Sequence, residues 1–352
     1  MRGNAMEATP QQLKALPPPL LAWYDENRRV LPWREQVSPY RTWVSEIMLQ
    51  QTRVTAVLPY FDRFMAALPT VAALADAPEQ QLMSLWQGLG YYSRARNLQK
   101  AAQVIMTRHG GVFPDTYEGL TALPGVGDYT AGAIASIAFG QPVPAVDGNV
   151  LRLAARLTGC DDNVLEPKTR ARFRRWMAEV IPSDRPGAFN QALMDLGAMV
   201  CLPNGAPLCE QCPARTFCTA CEKGLQRQLP VREKKTARRV EQRTVFLLRQ
   251  EDAIALRQRP ATGLLAGLWE FPNVPGALTE RQAAEQLTKW GLIPHQWGKS
   301  FTDKHVFTHI TWEMTVFTIT VQGAGPPEWV WCPDEEREKY PIPTAFGKLE
   351  KE

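Results

Sequence analysis

The sequence contains no run of about 20 apolar residues, which is the length that an α-helix needs to cross a bilayer. Residues 1–19 also lack the pattern of a secretory signal, because no apolar core of roughly 7–15 residues follows basic ones. From these two absences we expect a cytoplasmic protein that does not associate with a membrane.

An excess of charge of one sign is missing as well. The chain has 40 Lys+Arg against 36 Asp+Glu, and its net charge of +4 permits a polyanionic partner without establishing one. Hydrophobic residues make up 45% of the chain and charged residues 22%, which excludes a disordered, collagen-like or fibrous protein. At roughly 150 residues per domain, 352 residues predict about two domains.

The periodicity of the apolar residues changes once along the chain. Up to about residue 200, apolar residues recur at intervals of three and four, which predicts a succession of helices. The predicted helices are 40–52, 54–67, 78–87, 94–108, 116–122, 129–139, 148–158, 167–181 and 187–200. From Val240 onward, β-branched segments such as residues 311–321 predict strands, and residues 277–290 predict one helix among them.

A basic segment joins the two parts. Residues 227–239 hold six arginines and lysines against one glutamate. Such a run is typically a solvated spacer, but between two domains that face DNA it would lie along phosphates and add salt-dependent affinity.

A glycine turn connects two of the predicted helices. In Leu123-Pro-Gly-Val-Gly-Asp128, Gly125 and Gly127 allow another molecule to approach the backbone closely. The free N–H groups at the start of the second helix favour a phosphate. A plain helix connection is the alternative interpretation.

Two carboxylates stand in unusual surroundings. Glu46 shares a helix face with Trp43 and Leu49, and apolar neighbours raise the pKa of a carboxyl group, so that it can act as an acid near neutral pH. Asp147 precedes a helix, where it either caps the helix or takes part in chemistry. Two carboxylates in different environments are the usual equipment for breaking a bond to an anomeric carbon.

Five of the seven cysteines fall within residues 201–221. Cys201, Cys209, Cys212 and Cys218 supply four thiolates, and Cys221 is a spare fifth, so the segment fits either a [4Fe–4S] cluster or a structural zinc. A zinc ribbon usually has about 15–20 residues between its cysteine pairs, far more than the five found here between 212 and 218. This spacing favours the cluster.

Several motifs occur together along the chain. They are residues 45–52 (SEIMLQQT), 88–96 (GLGYYSRAR), 123–127 (LPGVG), 146–149 (VDGN), 191–201 (QALMDLGAMVC), 264–272 (LLAGLWEFP) and 340–346 (YPIPTAF). With the cysteine segment, they resemble the endonuclease III superfamily of helix-hairpin-helix DNA glycosylases. Within that superfamily they resemble the MutY-type adenine DNA glycosylases, over nearly the whole chain.

The resemblance implies a multidomain fold. Residues 20–225 would form an all-α glycosylase region, made of a six-helix barrel and an iron–sulfur cluster domain. Residues 1–19 would be disordered, residues 226–240 would form the basic linker, and residues 241–352 would form an α+β Nudix-like domain that recognises 8-oxoguanine. Cys201, Cys209, Cys212 and Cys218 would hold the [4Fe–4S] cluster.

The resemblance also implies an activity, the hydrolytic removal of adenine mispaired with 8-oxoguanine or guanine in double-stranded DNA. Glu46 matches the acid that protonates adenine at N7, and Asp147 matches the carboxylate that stabilises the oxocarbenium ion. Tyr129 and Asn149 match their helpers, and Gln191 matches a residue of the adenine pocket. The enzyme is expected to be a monomer acting in the bacterial nucleoid.

Further residues match the family's contacts to DNA. Gln51 and Tyr91 correspond to side chains that fill or wedge the duplex where the base has left, since flipping costs a few kcal/mol. Phe307, Thr308 and His309 correspond to the loop that contacts 8-oxoguanine.

Two other functions stay open at this stage. An endonuclease III-like glycosylase with lyase activity would need a lysine after the hairpin glycines, where this chain has Tyr129. A non-catalytic, cluster-bearing DNA-binding factor would not need both Glu46 and Asp147.

Overall fold

The computed structural model describes residues 8–233 and 238–351, which fold into two compact units. The units are residues 1–76 with 96–234 and residues 77–95 with 235–352, each within its described part. Segment 77–95 was predicted as part of the helical region, but its contacts place it in the second unit. There, the amides of Gln80 and Gln87 donate to the carbonyl oxygens of Lys339 and Ile342, at 2.7 and 3.4 Å.

Helices make up the first unit and part of the second. In chain order they are α1 (Gln11–Lys14), α2 (Pro17–Asn27), α3 (Pro32–Glu35), α4 (Pro39–Leu49), α5 (Val54–Ala67), α6 (Val71–Asp76), α7 (Glu79–Trp86), α8 (Ser93–His109), α9 (Tyr117–Thr121), α10 (Asp128–Phe139), α11 (Gly148–Thr158), α12 (Pro167–Val180), α13 (Pro186–Met199), α14 (Thr219–Lys223), α15 (Glu280–Lys289) and α16 (Thr344–Gly347). None of these described helices combines the length and the apolarity that a bilayer-crossing helix requires.

The helix ends follow local sequence signals. Ser38 caps α4 by accepting a hydrogen bond from the backbone N–H of Arg41 at 3.2 Å. Gly140 and Gly159 end α10 and α11 in the left-handed conformation, at φ 66° and 69°. Helix α4 stops at Leu49, three residues before its predicted end, because the backbone leaves the helical region at Gln50, where ψ is 113°. Gln51 follows at φ 59°.

The expectation that residues 1–19 are disordered is corrected for the part that the structure describes. Residues 11–14 form α1, and Leu13 and Leu16 are fully buried in the same core as Phe173 and Trp176. The three consecutive prolines at 17–19 occupy the first turn of α2, where a missing N–H leaves no helical hydrogen bond unmade. Residues 1–7 lie outside the described part.

The connector after the cysteine segment packs against the first unit as far as it is described. The backbone carbonyl of Leu229 accepts a hydrogen bond from Nε of Arg156 at 2.9 Å, and the N–H of Val164 donates to the carbonyl of Val231 at 3.1 Å. Residues 234–237 of the predicted basic linker lie outside the described residues. The preceding part of that linker is therefore bound to the helical unit.

The second unit contains a mixed sheet. Its strands are β1 (Arg239–Gln250), β2 (Ala253–Gln258), β3 (Trp269–Glu270), β4 (Asn273–Pro275), β5 (Ile293–Val306), β6 (Ile310–Gln322) and β7 (Trp329–Pro333). The strands pair in the order β3-β2-β1-β6-β5, with β4 also beside β1 and β7 also beside β2. Among these described pairs, β1–β6 alone is parallel. Residues 307–309 form the turn between β5 and β6.

Candidate active site

A cleft in the first unit brings together five residues from four separate segments of the sequence. Glu46 comes from the end of α4, Tyr129 from the first turn of α10, Asp147 and Asn149 from the start of α11, and Gln191 from α13. All five line the cleft. Packing of α10 against α4 and of α13 against both α10 and α11 makes this convergence possible.

Glu46 is a buried carboxyl group with an unusual pKa. Its residue is only 4% exposed, and burial raises the pKa of its side chain to about 7, with a smaller increase from the charge of Asp147. A hydrogen bond from Tyr129 and the charge of Arg34 act in the opposite direction. The group is thus both protonated and ionised to a substantial extent at neutral pH.

Tyr129 is the direct partner of Glu46. Its hydroxyl donates to Oε2 of Glu46 at 2.6 Å. Burial, and then the charges of Glu46 and Asp147, raise the pKa of the phenol well above its usual value, so the hydroxyl keeps its proton. It therefore acts as a neutral donor that orients the carboxyl group.

Asp147 is held by three donors. Its Oδ1 accepts from the backbone N–H groups of Asn149 and Val150 at 2.8 and 2.9 Å, and its Oδ2 accepts from Nδ2 of Asn149 at 2.7 Å. Burial raises the pKa of Asp147, while these hydrogen bonds lower it. The residue therefore caps α11, and its carboxylate also lies in the cleft.

Asn149 links the aspartate to the cysteine segment. Its Oδ1 accepts from Nη2 of Arg152 at 3.0 Å, and Arg152 also donates to the backbone carbonyls of Gly197 and Cys201, both at 2.8 Å. A Cβ added at Gly197 would lie 2.7 Å from Cβ of Asn149, so only glycine allows this approach. The position of Asp147 is thereby tied to the first predicted ligand of the cluster.

Sequence reasoning missed a buried ion pair at the edge of the cleft. Asp195, fully buried on α13, accepts from Nη1 of Arg34 and Nε of Arg29, both at 2.7 Å. These partners outweigh the effect of burial and lower the pKa of Asp195. An aspartate within an apolar helix, next to Leu193 and Leu196, was the signal that would have indicated such a pair.

Gln191 also has a partner that the sequence did not indicate. The hydroxyl of Tyr24, on α2, donates to Oε1 of Gln191 at 3.2 Å. Because this contact engages the carboxamide oxygen of Gln191, it fixes the orientation of the whole amide group, including its NH₂.

The two hairpin glycines have different roles. Gly125 has φ 75°, which favours glycine, and an added Cβ would lie only 2.6 Å from Cβ of Asn97. Both the backbone conformation and the lack of space therefore require glycine here. Gly127 has extended backbone and forms the N-cap of α10, and no atom lies within 4 Å of an added Cβ. Open space therefore adjoins the N-terminus of α10, where an anion is favoured.

Each of the two predicted wedge residues has a strained backbone conformation. Gln51 and Tyr91 have φ 59° and 49°, and a non-glycine residue at positive φ costs about 1–3 kcal/mol. Both side chains are exposed, and Gln51 belongs to the first unit whereas Tyr91 belongs to the second. Strain at an exposed side chain is typical of a functional position.

In the second unit, the β5–β6 turn presents one apolar and two polar side chains. Phe307 packs edge-on against Trp312, with ring centroids 4.8 Å apart, and anchors the turn. Thr308 and His309 are exposed, and Oγ1 of Thr308 lies 3.0 Å from the hydroxyl of Tyr91. The structure thus brings Tyr91 and Thr308 together within this unit.

The cysteine segment surrounds one cavity of the first unit. The cysteines that line this cavity are Cys201, Cys209, Cys212, Cys218 and Cys221. Burial, and then the neighbouring thiols, raise the pKa of Cys209 to about 11, and Nη1 of Arg156 donates to Sγ of Cys201 at 3.2 Å. As placed, no three His, Cys, Asp or Glu side chains in the described ranges converge closely enough to hold a metal ion.

Two family models match the chain. The model for HhH-GPD superfamily base excision DNA repair proteins covers residues 44–179, and that for the NUDIX domain covers residues 244–352. These matches confirm the fold class predicted from the sequence, a helical glycosylase region followed by a Nudix-like domain.

Curated relatives and solved structures agree with the family models. The adenine DNA glycosylase of Homo sapiens is 36% identical over 94% of this chain and 72% of its own length, and that of Rattus norvegicus is 35% identical over 94% and 76%. A thermostable thymine-DNA glycosylase is 29% identical with a TM-score of 0.56, covering 62% of this chain and 100% of its own. Endonuclease III trapped covalently on DNA is 25% identical with a TM-score of 0.50, covering 58% and 93%.

Proposed function

The chain belongs to the adenine DNA glycosylases, and we propose that its substrate is adenine mispaired with 8-oxoguanine, or with guanine, in double-stranded DNA. As a member of this family it is a DNA glycosylase, which hydrolyses an N-glycosidic bond. We further propose that it acts as a monomer on the DNA of a bacterial cytoplasm.

The observation that carries the proposed mechanism is the buried Glu46, with its pKa near 7. When protonated, Glu46 donates its proton to N7 of the flipped adenine and makes the base a neutral leaving group. Protonation is complete only below the pKa, so the rate of base release falls as the pH rises through about 7. The hydroxyl of Tyr129 keeps the donor in one orientation.

Asp147 takes the second role. As adenine departs with the bonding electrons, positive charge develops at C1′, and the carboxylate of Asp147 stabilises it. Three N–H donors hold the carboxylate in place without neutralising it. Water then adds to C1′ and gives a proton to the carboxylate of Glu46, which regains the proton that it donated to adenine. The products are an abasic site and free adenine.

Lyase chemistry is disfavoured by the composition of the cleft. A lyase forms a Schiff base through an amine, yet none of the described residues that line the cleft is a lysine. Tyr129, the residue at the position expected for that lysine, instead bonds to Glu46. Hydrolysis without strand cleavage follows.

Recognition of 8-oxoguanine is assigned to the β5–β6 turn. The exposed Thr308 and His309 offer a hydroxyl and an imidazole to the altered edge of the lesion, and Phe307 anchors the turn. Tyr91, which contacts Thr308, and Gln51 would fill the duplex where adenine has left. The open N-terminus of α10 at Gly127 supports a phosphate contact.

By its chemistry the cysteine segment suits a [4Fe–4S] cluster, although its thiols lie further apart than bound ligands would. The thiols around one cavity suit iron, and Cys201, Cys209, Cys212 and Cys218 would hold the cluster. When bound, the cluster supplies a structural tie and no step of the hydrolysis. Because Arg152 joins Asn149 to the backbone of Cys201, this tie reaches Asp147.

The proposed substrate is tested by single-turnover release of bases from matched duplexes. We expect fast adenine release opposite 8-oxoguanine, slower release opposite guanine, and none opposite thymine. A duplex containing thymine glycol is the control for an endonuclease III-like activity. Release of thymine glycol without release of adenine would contradict the proposal.

A further inference from the structure

A second pocket of the first unit is lined by four arginines. They are Arg152, Arg156, Arg227 and Arg232. The remaining lining residues are uncharged, and no carboxylate of the described chain is among them. An open pocket that is lined by four guanidinium ions and by no carboxylate favours an anion.

The four arginines contribute in two ways. Arg152 and Arg156 are almost fully buried, and their N–H groups are engaged by backbone carbonyls such as those of Gly197 and Leu229. They supply fixed positive charge. Arg227 and Arg232 are exposed on the connector, so their guanidinium groups are accessible to a ligand.

The loop opposite the connector is suited to a close approach of a backbone. Residues 202–208, between the first two cysteines, carry no charged side chain. Asn204 and Gly205 line the pocket, Gly205 has φ 76°, and no atom lies within 4 Å of an added Cβ there. The charge for an anion at this loop therefore comes from the connector.

The pocket adjoins the catalytic cleft. Pro203 lines both, and Nη2 of Arg232 lies 3.9 Å from the point where a Cβ on Gly148, the neighbour of Asp147, would be. A DNA strand whose sugar faces Asp147 carries its next phosphates only a few ångströms away.

We infer that Arg227 and Arg232 bind a backbone phosphate of the substrate strand, beside the nucleotide that is hydrolysed. Planar guanidinium groups bind phosphate oxygens in pairs, and the two buried arginines strengthen the field. The connector is then a part of the DNA-binding surface as well as a link between units. The inference rests on the proposed DNA substrate but not on the identity of the excised base.

The test uses a duplex containing a non-cleavable abasic-site analogue, which fixes the register whichever base the enzyme removes. Arg227→Ala with Arg232→Ala should weaken binding several-fold and lower the slope of log K against log salt by about 1. In wild type, a neutral methylphosphonate within two nucleotides of the analogue should weaken binding, and in the double variant it should have no further effect. Arg238→Ala, which removes one positive charge from the connector outside this pocket, should weaken binding less than either Arg227→Ala or Arg232→Ala alone.

Three results would overturn the inference. One is an equal methylphosphonate effect in wild type and the double variant, and another is a loss of affinity in Arg238→Ala equal to that in Arg227→Ala or Arg232→Ala alone. The third is calorimetric binding of inorganic phosphate that the double variant loses while its DNA binding is unchanged, which would assign the pocket to a free phosphate compound. Thermal unfolding checks that the variants are folded, and the single variants replace the double one if it is not.

Discussion

Replacing Tyr129 with Phe should move the pH dependence of base release to higher pH. The hydroxyl of Tyr129 donates to Oε2 of Glu46 at 2.6 Å, and this bond lowers the pKa of Glu46 because it stabilises the ionised form. Without this bond, burial raises the pKa of Glu46 further. The proton then stays on Glu46 to a higher pH.

The size of the shift follows from the strength of the bond. Hydrogen bonds to a charged group contribute about 1.5–3 kcal/mol, and about 1.4 kcal/mol corresponds to one pKa unit. The pKa of Glu46, about 7 in the wild type, should therefore rise by about 1–2 units in Tyr129→Phe. At pH 8, the protonated fraction should rise from about one tenth to at least about one half.

The assay is single-turnover release of adenine between pH 5 and pH 10, with enzyme in excess over an 8-oxoguanine:adenine duplex. The maximal rate should fall, because the acid loses its orienting partner, while the half-maximal point on the basic side moves upward. Tyr24→Phe is the matched control, since it removes a hydroxyl that bonds to Gln191 and not to Glu46. A basic limb that stays in place in Tyr129→Phe would refute the assignment of that limb to Glu46.

Three further predictions concern other parts of the chain. Asp147→Asn should keep its cap on α11, since asparagine caps helices as well as aspartate, and should bind the mismatch but lose base release by about 100-fold or more, as single-turnover kinetics will show. Cys209→Ser should reduce the iron content and the thermal stability of the purified protein. Cys160→Ser, which lies outside the cysteine cavity, should leave the iron content unchanged. Equal iron contents in the two variants would contradict the cluster. Joint replacement of Thr308 and His309 with Ala should slow release opposite 8-oxoguanine more than opposite guanine, because a lost contact costs about 1–3 kcal/mol only where it was made. Equal losses on the two substrates would assign the turn to stability.

Much of the helical fold could be predicted from the sequence. The predicted bounds 54–67 and 148–158 coincide with α5 and α11, since a strong apolar periodicity and clear end signals agree there. Helices α1 and α2 were missed, because consecutive prolines indicate a break unless they fill a first turn. Strand β5 was missed because most of its residues are exposed and alternate weakly.

The sequence allowed the residues of the site to be predicted, but not the contacts between them. Glu46 was expected to have a raised pKa from its apolar helix face, which the structure agrees with, but its contact with Tyr129 depends on how α4 packs against α10. The buried pair of Arg34 and Asp195 and the arginine pocket join residues more than 50 positions apart, and no local pattern specifies such contacts. Positive φ at Gln51 likewise became visible only in the folded chain.

The role of Glu46 as the acid is tested most directly by adenine release from an 8-oxoguanine:adenine duplex at pH 6, measured for Glu46→Gln beside the wild type. The amide keeps the size of the side chain, and its N–H groups can form hydrogen bonds, but it is too weak an acid to transfer a proton to N7. Release should be lost while the dissociation constant for the duplex stays within a few-fold of the wild type. Release near the wild-type rate would contradict the role of Glu46 as the acid.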